Sequence, residues 1–331
     1  MIHSLHSQRK ECITFFHSVV AGTPALRQRN STIELWIRRT LAGDPPRAKS
    51  LVVSLFGDAI APHGGVIRLK NLIELLGPFE INERLVRTSV FRLVKEDWLE
   101  TIRSGRESSY RLTRTGFRRL EHAYGKVYQR PAATWDGAWT FILIPIEHLT
   151  VPRRLKLKQE LEWEGVRQLT PHLFAHPTIG AEALSEIFDR SRVRGKVISF
   201  TGARTDQDGM CVIRELVNGS WSLRQVAGAY KVFLRNFGKL QTMLSNDGDL
   251  SGWDWLAIRV FLIHSFRRIV LHDPLLPSAL LPDPWIGDDA YRLAGEIYRI
   301  CLPASEHYLC ERLGASPDEA ARVLEGRFSV E

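Results

Sequence analysis

Residues 65–119 constrain the fold more than any other stretch, because they spell helix, turn, helix and hairpin in a single short span. An apolar helix at Leu69–Leu76 runs into the breakers Gly77 and Pro78. Asn82, whose side chain can accept from free helix N–H groups, opens a second helix that ends near Trp98. Two alternating runs then flank the turn Ser104–Ser108. That order predicts a winged helix-turn-helix, with its second helix in the major groove of double-stranded operator DNA and its hairpin on the backbone.

Helical spacing at about 100° per residue sorts the side chains of the second helix. Val86, Val90, Leu93 and Val94 share one stripe, which faces the core. Arg84, Arg87, Thr88, Phe91, Arg92 and Lys95 fall on the other side, with Leu85 and Ser89 near the edges. Arginine can span O6 and N7 of guanine, and Thr or Phe can touch a thymine methyl. Arg92 and Lys95, later in the helix, are placed for phosphate. Arg103, Arg106 and Ser108 on the hairpin complete the expected DNA-facing set, while Trp98 is expected in the core. From Arg84 to Arg119 there are ten basic and four acidic residues, so ten minus four gives +6 of the chain's net +8. Such clustering is the footprint of a phosphate partner; the competing reading is a solvated face with no ligand.

The chain of 331 residues is long enough for two or three domains. No apolar run approaches the ~18 residues a membrane span needs, so none is expected. Arg9 and Lys10 followed by CITFFHSVVAGTPA imitate a secretion signal, but the apolar part is short and broken by His17. Cys12, Cys211, Cys301 and Cys310 form no CxxC pair, which fits inert thiols in a reducing cytoplasm.

Residues 1–46 read as an N-terminal extension with a helical stretch at Thr32–Leu41, and 47–130 as the winged helix, closing with a helix at Phe117–Tyr128. In 131–205 the pattern is strand (138–146), amphipathic helix (Pro152–Trp163), strands Gly165–Leu169 and Leu173–His176, helix Glu182–Asp189 and strand Lys196–Thr201. That βαββαβ order predicts a ferredoxin-like sandwich, so the overall class is α+β. Residues 206–331 read as an all-helical C-terminal domain, with helices at Ser222–Leu244, Trp253–His272, Asp288–Cys301 and Pro317–Phe328. Ser316 is the expected cap of the last helix, with Pro317 at its first position.

Several segments together resemble the PaaX family of repressors of phenylacetic acid degradation. They are LFGD at 55–58, VRTSVFRL at 86–93, GRESSYRLT at 105–113, WDGAW at 135–139, LEWEGVRQLTP at 161–171, LIHSFRR at 262–268 with Arg259 before it, and DPLLPSALLPDPWIGDDA at 273–290. The resemblance implies a winged helix, a central domain like the Cas2 nucleases and a helical C-terminal domain. It also implies a homodimeric repressor released by an aryl-acyl-CoA effector of the phenylacetyl-CoA type.

A Cas2-like domain raises the alternative of a metal-dependent nuclease. Asp136 and Glu147 bracket the first central strand, yet its interior offers no paired carboxylates, and Asp136 suits a turn before Gly137. Asp247, Asp249, Ser251 and Gly252 imitate a calcium loop, but Ile258 stands where a bidentate Glu is required, so a helix cap at Ser251 is the better reading. His172 with His176, and His307 with Cys310, lack further ligands, so no metal and no cofactor is expected. No GxSxG, P-loop or GxGxxG motif supports an enzyme acting on CoA thioesters. A thioester effector needs cations for its phosphates and an apolar pocket for its acyl end. Trp253, Arg259, Arg267 and Arg268 are the expected effector residues; the competing reading pairs these arginines with Asp273 or Asp254 to hold the C-terminal domain together.

Overall fold

The computed structural model describes residues 32–104, 107–129, 135–202, 215, 217–244, 250–315 and 317–329. Helices α1 (Thr32–Gly43) and α2 (Ala48–Leu55) come first, and a widened turn at Phe56–Ile60 carries α2 into a 3-10 turn, Ala61–His63. Gly64 and Gly65 follow with φ of 80° and 70°. Two successive left-handed residues are a conformation glycine adopts at no steric cost, and they reverse the chain into strand β1 (Val66–Arg68).

Helices α3 (Leu69–Leu76) and α4 (Glu83–Lys95) fall where their breakers and cap place them, and Asn82 accepts from the Leu85 amide at 2.9 Å. Strands β2 (Leu99–Ser104) and β3 (Glu107–Leu112) form the hairpin. Strand β1 adds to it antiparallel, giving the order β1-β3-β2. Three residues carry no readable period, so β1 was not legible in advance. Helix α5 (Arg114–Tyr128) docks on the hairpin's root. The Thr113 hydroxyl accepts from the Gly116 amide at 2.9 Å and donates to the Asp97 carbonyl at 2.8 Å. A Cβ on Gly116 would lie 2.2 Å from the Trp98 carbonyl oxygen, so this close approach requires glycine.

The central unit has β4 (Trp139–Leu143), α6 (Val151–Trp163), β5 (Arg167–Thr170), β6 (Leu173–His176), α7 (Ala181–Ser191) and β7 (Ile198–Gly202). All its pairings are antiparallel in the order β5-β6-β4-β7, the ferredoxin-like arrangement. Leu157, Leu161, Leu184 and Ile187 of the helices pack on Ile142 and Phe174 of the sheet in a separate apolar cluster. Asp136 accepts from the Ala138 amide at 2.9 Å beside Gly137 at φ 85°, the expected turn.

Helices α8 (Leu223–Leu244), α9 (Gly252–Val270), α10 (Ile286–Leu313) and α11 (Pro317–Glu325) complete the chain. Ser251 caps α9 in a capping box with Asp254, whereas Asp247, Asp249 and Ser316 lie outside the described residues. Helix α10 overruns its expected end at Cys301 and passes through Pro303. A proline inside a helix costs about 3 kcal/mol; burial of Leu309 and Cys310 and the Arg259–Glu306 ion pair offset it.

Two features depart from the expected organisation. Residues 32–43 do not trail as an extension: Ile33, Trp36, Ile37 and Leu41 are buried, and Trp36 meets Phe237 and Phe261 edge-on at 5.4 and 6.0 Å. Its indole donates to the Asn236 carbonyl at 3.2 Å. Moreover, buried residues of the segments 47–130 and 206–331 belong to one continuous apolar core. The central unit joins that body through Trp221, which donates to the Gly165 carbonyl at 2.9 Å, and Lys126, which donates to the Trp163 carbonyl at 3.3 Å.

Candidate nucleic-acid interface

Helix α4 buries Val86, Ser89, Val90 and Leu93 and leaves Arg84, Leu85, Arg87, Thr88, Phe91, Arg92 and Lys95 exposed. The stripe expected from periodicity is therefore present, with Val94 half-buried and Ser89 on the core side rather than at the edge. Glu83 in the first turn, and Arg92 and Lys95 in the last, complement the helix dipole.

The exposed face is largely unneutralised. Arg84, Arg92 and Arg103 have no acidic partner among the described residues. Lys95 lies over the Phe91 ring, 4.6 Å from its centroid, and Phe91 is 58% exposed. An aromatic ring held open to water in the middle of a basic face is a ready contact for a planar or methyl-bearing partner. Arg87 donates to Glu83 at 2.7 Å, and the Thr88 hydroxyl donates back to the Arg84 carbonyl at 2.8 Å. The Arg87–Glu83 pair is exposed and contributes at most about 1 kcal/mol, so Arg87 is easily released to a stronger acceptor.

On the hairpin, Arg103 is exposed and stands opposite half-buried Ser108. Arg111 is bound by Glu100 at 2.8 Å and Arg68 faces Glu107 at 3.5 Å, so the acids of this surface are largely spent on neighbours. Arg106 lies outside the described residues. Arg119 donates to the Glu96 carbonyl at 3.0 Å and covers Trp98, 5.1 Å from its ring, which places Trp98 in a structural role.

The structure does not bring the expected effector residues together. Arg259 is fully buried: it pairs with Asp58 at 2.8 Å and with Glu306, and donates to Ser305. Burial opposes its charge, but Asp58, Tyr298 and Glu306 outweigh that and hold the guanidinium firmly protonated. No ligand phosphate can reach it there. Arg267 donates to Ser54 and Ser50 on α2, each at 3.2 Å, and Arg268 pairs with Asp44 at 2.7 Å. Trp253 is half-buried at the start of α9. These arginines fasten α9 to the N-terminal helices. Their partners are not Asp254, which caps α9, or Asp273, which accepts from Tyr230 at 2.7 Å. Their partners Asp58, Ser50, Ser54 and Asp44 are about two hundred positions away in sequence, and Glu306 lies on another helix, all beyond the reach of local spacing.

A shallow cleft of about 290 Å3 lies in the central unit instead, floored by Ile144, Leu155, Pro171 and Phe174 and edged by Arg154 and Lys158. The histidines of the discarded metal readings are separately employed: His176 is buried and its Nδ1 accepts from the Thr178 amide at 3.0 Å, while His307 is exposed beside Glu311. Burial, with help from Lys126 and Arg167, pushes the His176 pKa down to about 3, so it is neutral.

Together these features define a mixed helix-and-sheet protein with a ferredoxin-like central unit and one strongly basic exposed helix face. Family comparison matches residues 47–116 to the PaaX-like protein family, 132–210 to the PaaX protein central Cas2-like domain and 221–311 to the PaaX-like protein C-terminal domain. The transcriptional repressor PaaX of Escherichia coli (strain K12) is 34% identical over 283 residues, covering 85% of this chain and 89% of the relative. Among solved structures, the uncharacterised protein Rv0674 from Mycobacterium tuberculosis superposes with a TM-score of 0.51 over 78% of this chain and 97% of that one, at 20% identity. The chain belongs to the PaaX family. Membership places it among transcriptional regulators rather than enzymes. Among the described residues, no helix is long and apolar enough to cross a membrane.

Proposed function

We propose that residues 47–130 act as a winged helix-turn-helix that reads duplex operator DNA, and that the chain is a cytoplasmic, homodimeric repressor of a phenylacetate-type catabolic operon. The carrying observation is the exposed side of α4. Arg84, Arg92 and Lys95 stand around open Phe91 on a helix whose opposite side is locked into the core, and Arg103 extends the charge onto the hairpin. Free cations on a rigid element supply backbone affinity, and the first turns of the helix supply base contacts. The E. coli relative, named a transcriptional repressor, supports the same direction of control.

Release by an aryl-acyl-CoA completes the reading. An effector relieves repression only if it binds the DNA-free form better than the DNA-bound form. With Arg259, Arg267 and Arg268 committed to structure, the central cleft is the better receptacle: its floor is apolar, and Arg154 faces no acid among the described residues. Fluorescence anisotropy on the promoter next to the chain's own gene tests both parts. Specific binding weakened by phenylacetyl-CoA, and far less by acetyl-CoA or phenylacetate, is expected. Absence of sequence-specific binding would overturn the repressor reading; specific binding indifferent to every CoA ester would overturn only the switch.

A further inference from the structure

Cys310, which sequence spacing paired with His307, turns away from it in the fold. His307 is exposed, whereas Cys310 points inward with Glu306, one turn earlier on α10, toward His63 on the 3-10 turn before β1. His63 Nε2 lies 2.8 Å from Glu306 Oε2, and one ligand atom each of His63, Glu306 and Cys310 lie within 4.8 Å of one another. The cluster is largely enclosed: the His63 side chain has no exposure and Cys310 is buried.

We propose that His63, Glu306 and Cys310 form a binding site for a divalent transition-metal ion, zinc foremost, that clasps the winged domain to the C-terminal helices. The donor set selects the metal. Imidazole, carboxylate and thiolate are the three side chains zinc takes, whereas magnesium and calcium take oxygen and reject sulfur. Zinc bonds of about 2.0–2.3 Å set ligand atoms roughly 3.3–3.7 Å apart in a tetrahedron. His63 and Glu306 lie closer than that, and no two of the three ligand atoms are more than 4.8 Å apart, so the ion is admitted by opening the His63–Glu306 contact by about half an ångström and adjusting Cys310 to match. The Cys310 thiol gives its proton to solvent and binds as thiolate; the ion takes the place of the shared hydrogen between His63 and Glu306, and the imidazole proton moves to Nδ1. Arg259, already bonded to the other oxygen of Glu306, serves as the outer partner that fixes a ligating carboxylate.

The site is built for exchange rather than permanent loading. Three protein ligands leave a fourth position to solvent, and His63 Nδ1 is buried without a partner where tightly held zinc ligands have an acceptor. Affinity should accordingly fall below that of four-ligand structural zinc sites.

The test uses the full chain, stripped with chelator under reducing conditions and titrated with cobalt(II), which reports thiolate ligation by a near-ultraviolet charge-transfer band. One equivalent should give that band together with visible absorption of a four-coordinate ion, and zinc should bleach both. Cys310→Ser leaves the His63–Glu306 and Glu306–Arg259 contacts in place, so the variant should fold, lose the band and bind the ion about tenfold or more weakly. Cys301→Ala should keep the band. His63→Gln, checked by circular dichroism for folding, should lose affinity similarly. No band in the parent chain, a band that survives Cys310→Ser, or a band unaffected in folded His63→Gln would each overturn the proposal.

Discussion

Arg259 donates from Nε to Oδ2 of Asp58 across 2.8 Å, with both side chains fully buried and 201 residues apart in sequence. The same carboxylate accepts at Oδ1 from Tyr128 at 2.7 Å, Arg327 at 2.9 Å and Tyr298 at 3.1 Å. One aspartate behind α2 thereby gathers groups from α5, α9, α10 and the turn after α11. Burial raises the Tyr128 and Tyr298 hydroxyls above their usual pKa, so both remain donors. This buried polar centre ties residues 47–130 to the C-terminal helices.

Breaking that knot from either side should be severe. Asp58→Asn or Arg259→Ala leaves a buried charge uncompensated, at about 3–5 kcal/mol. Arg268→Ala, whose pair with Asp44 is exposed, should cost less than about 1 kcal/mol. Chemical denaturation of the three variants checks the order. Equal losses would mean that Asp58 and Arg259 do not hold the core.

Acid should destabilise the protein through buried histidines. Burial pushes His264 down to about 3, with Arg267 and Arg268 adding to it, and His176 likewise to about 3. Unfolded histidine titrates near 6.5. Above that pH both states are neutral and the stabilisation is whole. As pH falls from about 6.5 toward 3, the unfolded chain gains protons that the folded one refuses, costing up to about 1.4 kcal/mol per histidine per pH unit. Melting temperature should drop between pH 7 and 5, and less steeply in His264→Gln. A flat profile would contradict neutral burial.

The sequence exposed what is local and hid what is distant. Asn82, Gly77 and Pro78 fixed α3 and α4, because caps and breakers act within a few residues. The alternation and turns of 138–202 were enough for the order of the central sheet. The helix face around Phe91 was legible because periodicity alone sorts it. The roles of Arg259 and Arg267 were not, since their partners Asp58, Glu306, Ser50 and Ser54 arrive through tertiary packing. The end expected at Cys301 was overrun for the same reason: α10 continues through Pro303, with Leu309 and Cys310 buried beyond it. The cluster of Cys310 with His63 was invisible because their separation in sequence carries no motif.

Helix α1 offers a test of the continuous core. Trp36→Ala removes a ring lodged against Phe237 and Phe261 and should cost about 3–5 kcal/mol. Leu35→Ala, on the exposed side of the same helix, should be near neutral. Denaturant midpoints decide; a neutral Trp36→Ala would mean that residues 32–43 are dispensable after all.

The two arginines Arg87 and Arg103 should fail in different ways if α4 reads bases and the hairpin holds the backbone. Arg87 sits in the first half of α4, where side chains reach base edges, and its tie to Glu83 is weak enough to exchange for guanine. Arg87→Ala should cost about 1–3 kcal/mol on the operator and relax preference at one base pair. Arg103 has no competing acid among the described residues and stands on β2 near the hairpin's end, so on this proposal its partner would be a phosphate. Arg103→Ala should weaken all duplexes alike and reduce the slope of log affinity against log salt by about one unit. Anisotropy titrations on operator and scrambled duplexes, at several salt concentrations, separate the two. An Arg87→Ala protein with unaltered base preference would remove α4 from the groove, and an Arg103→Ala protein with an unaltered salt slope would remove the hairpin from the backbone.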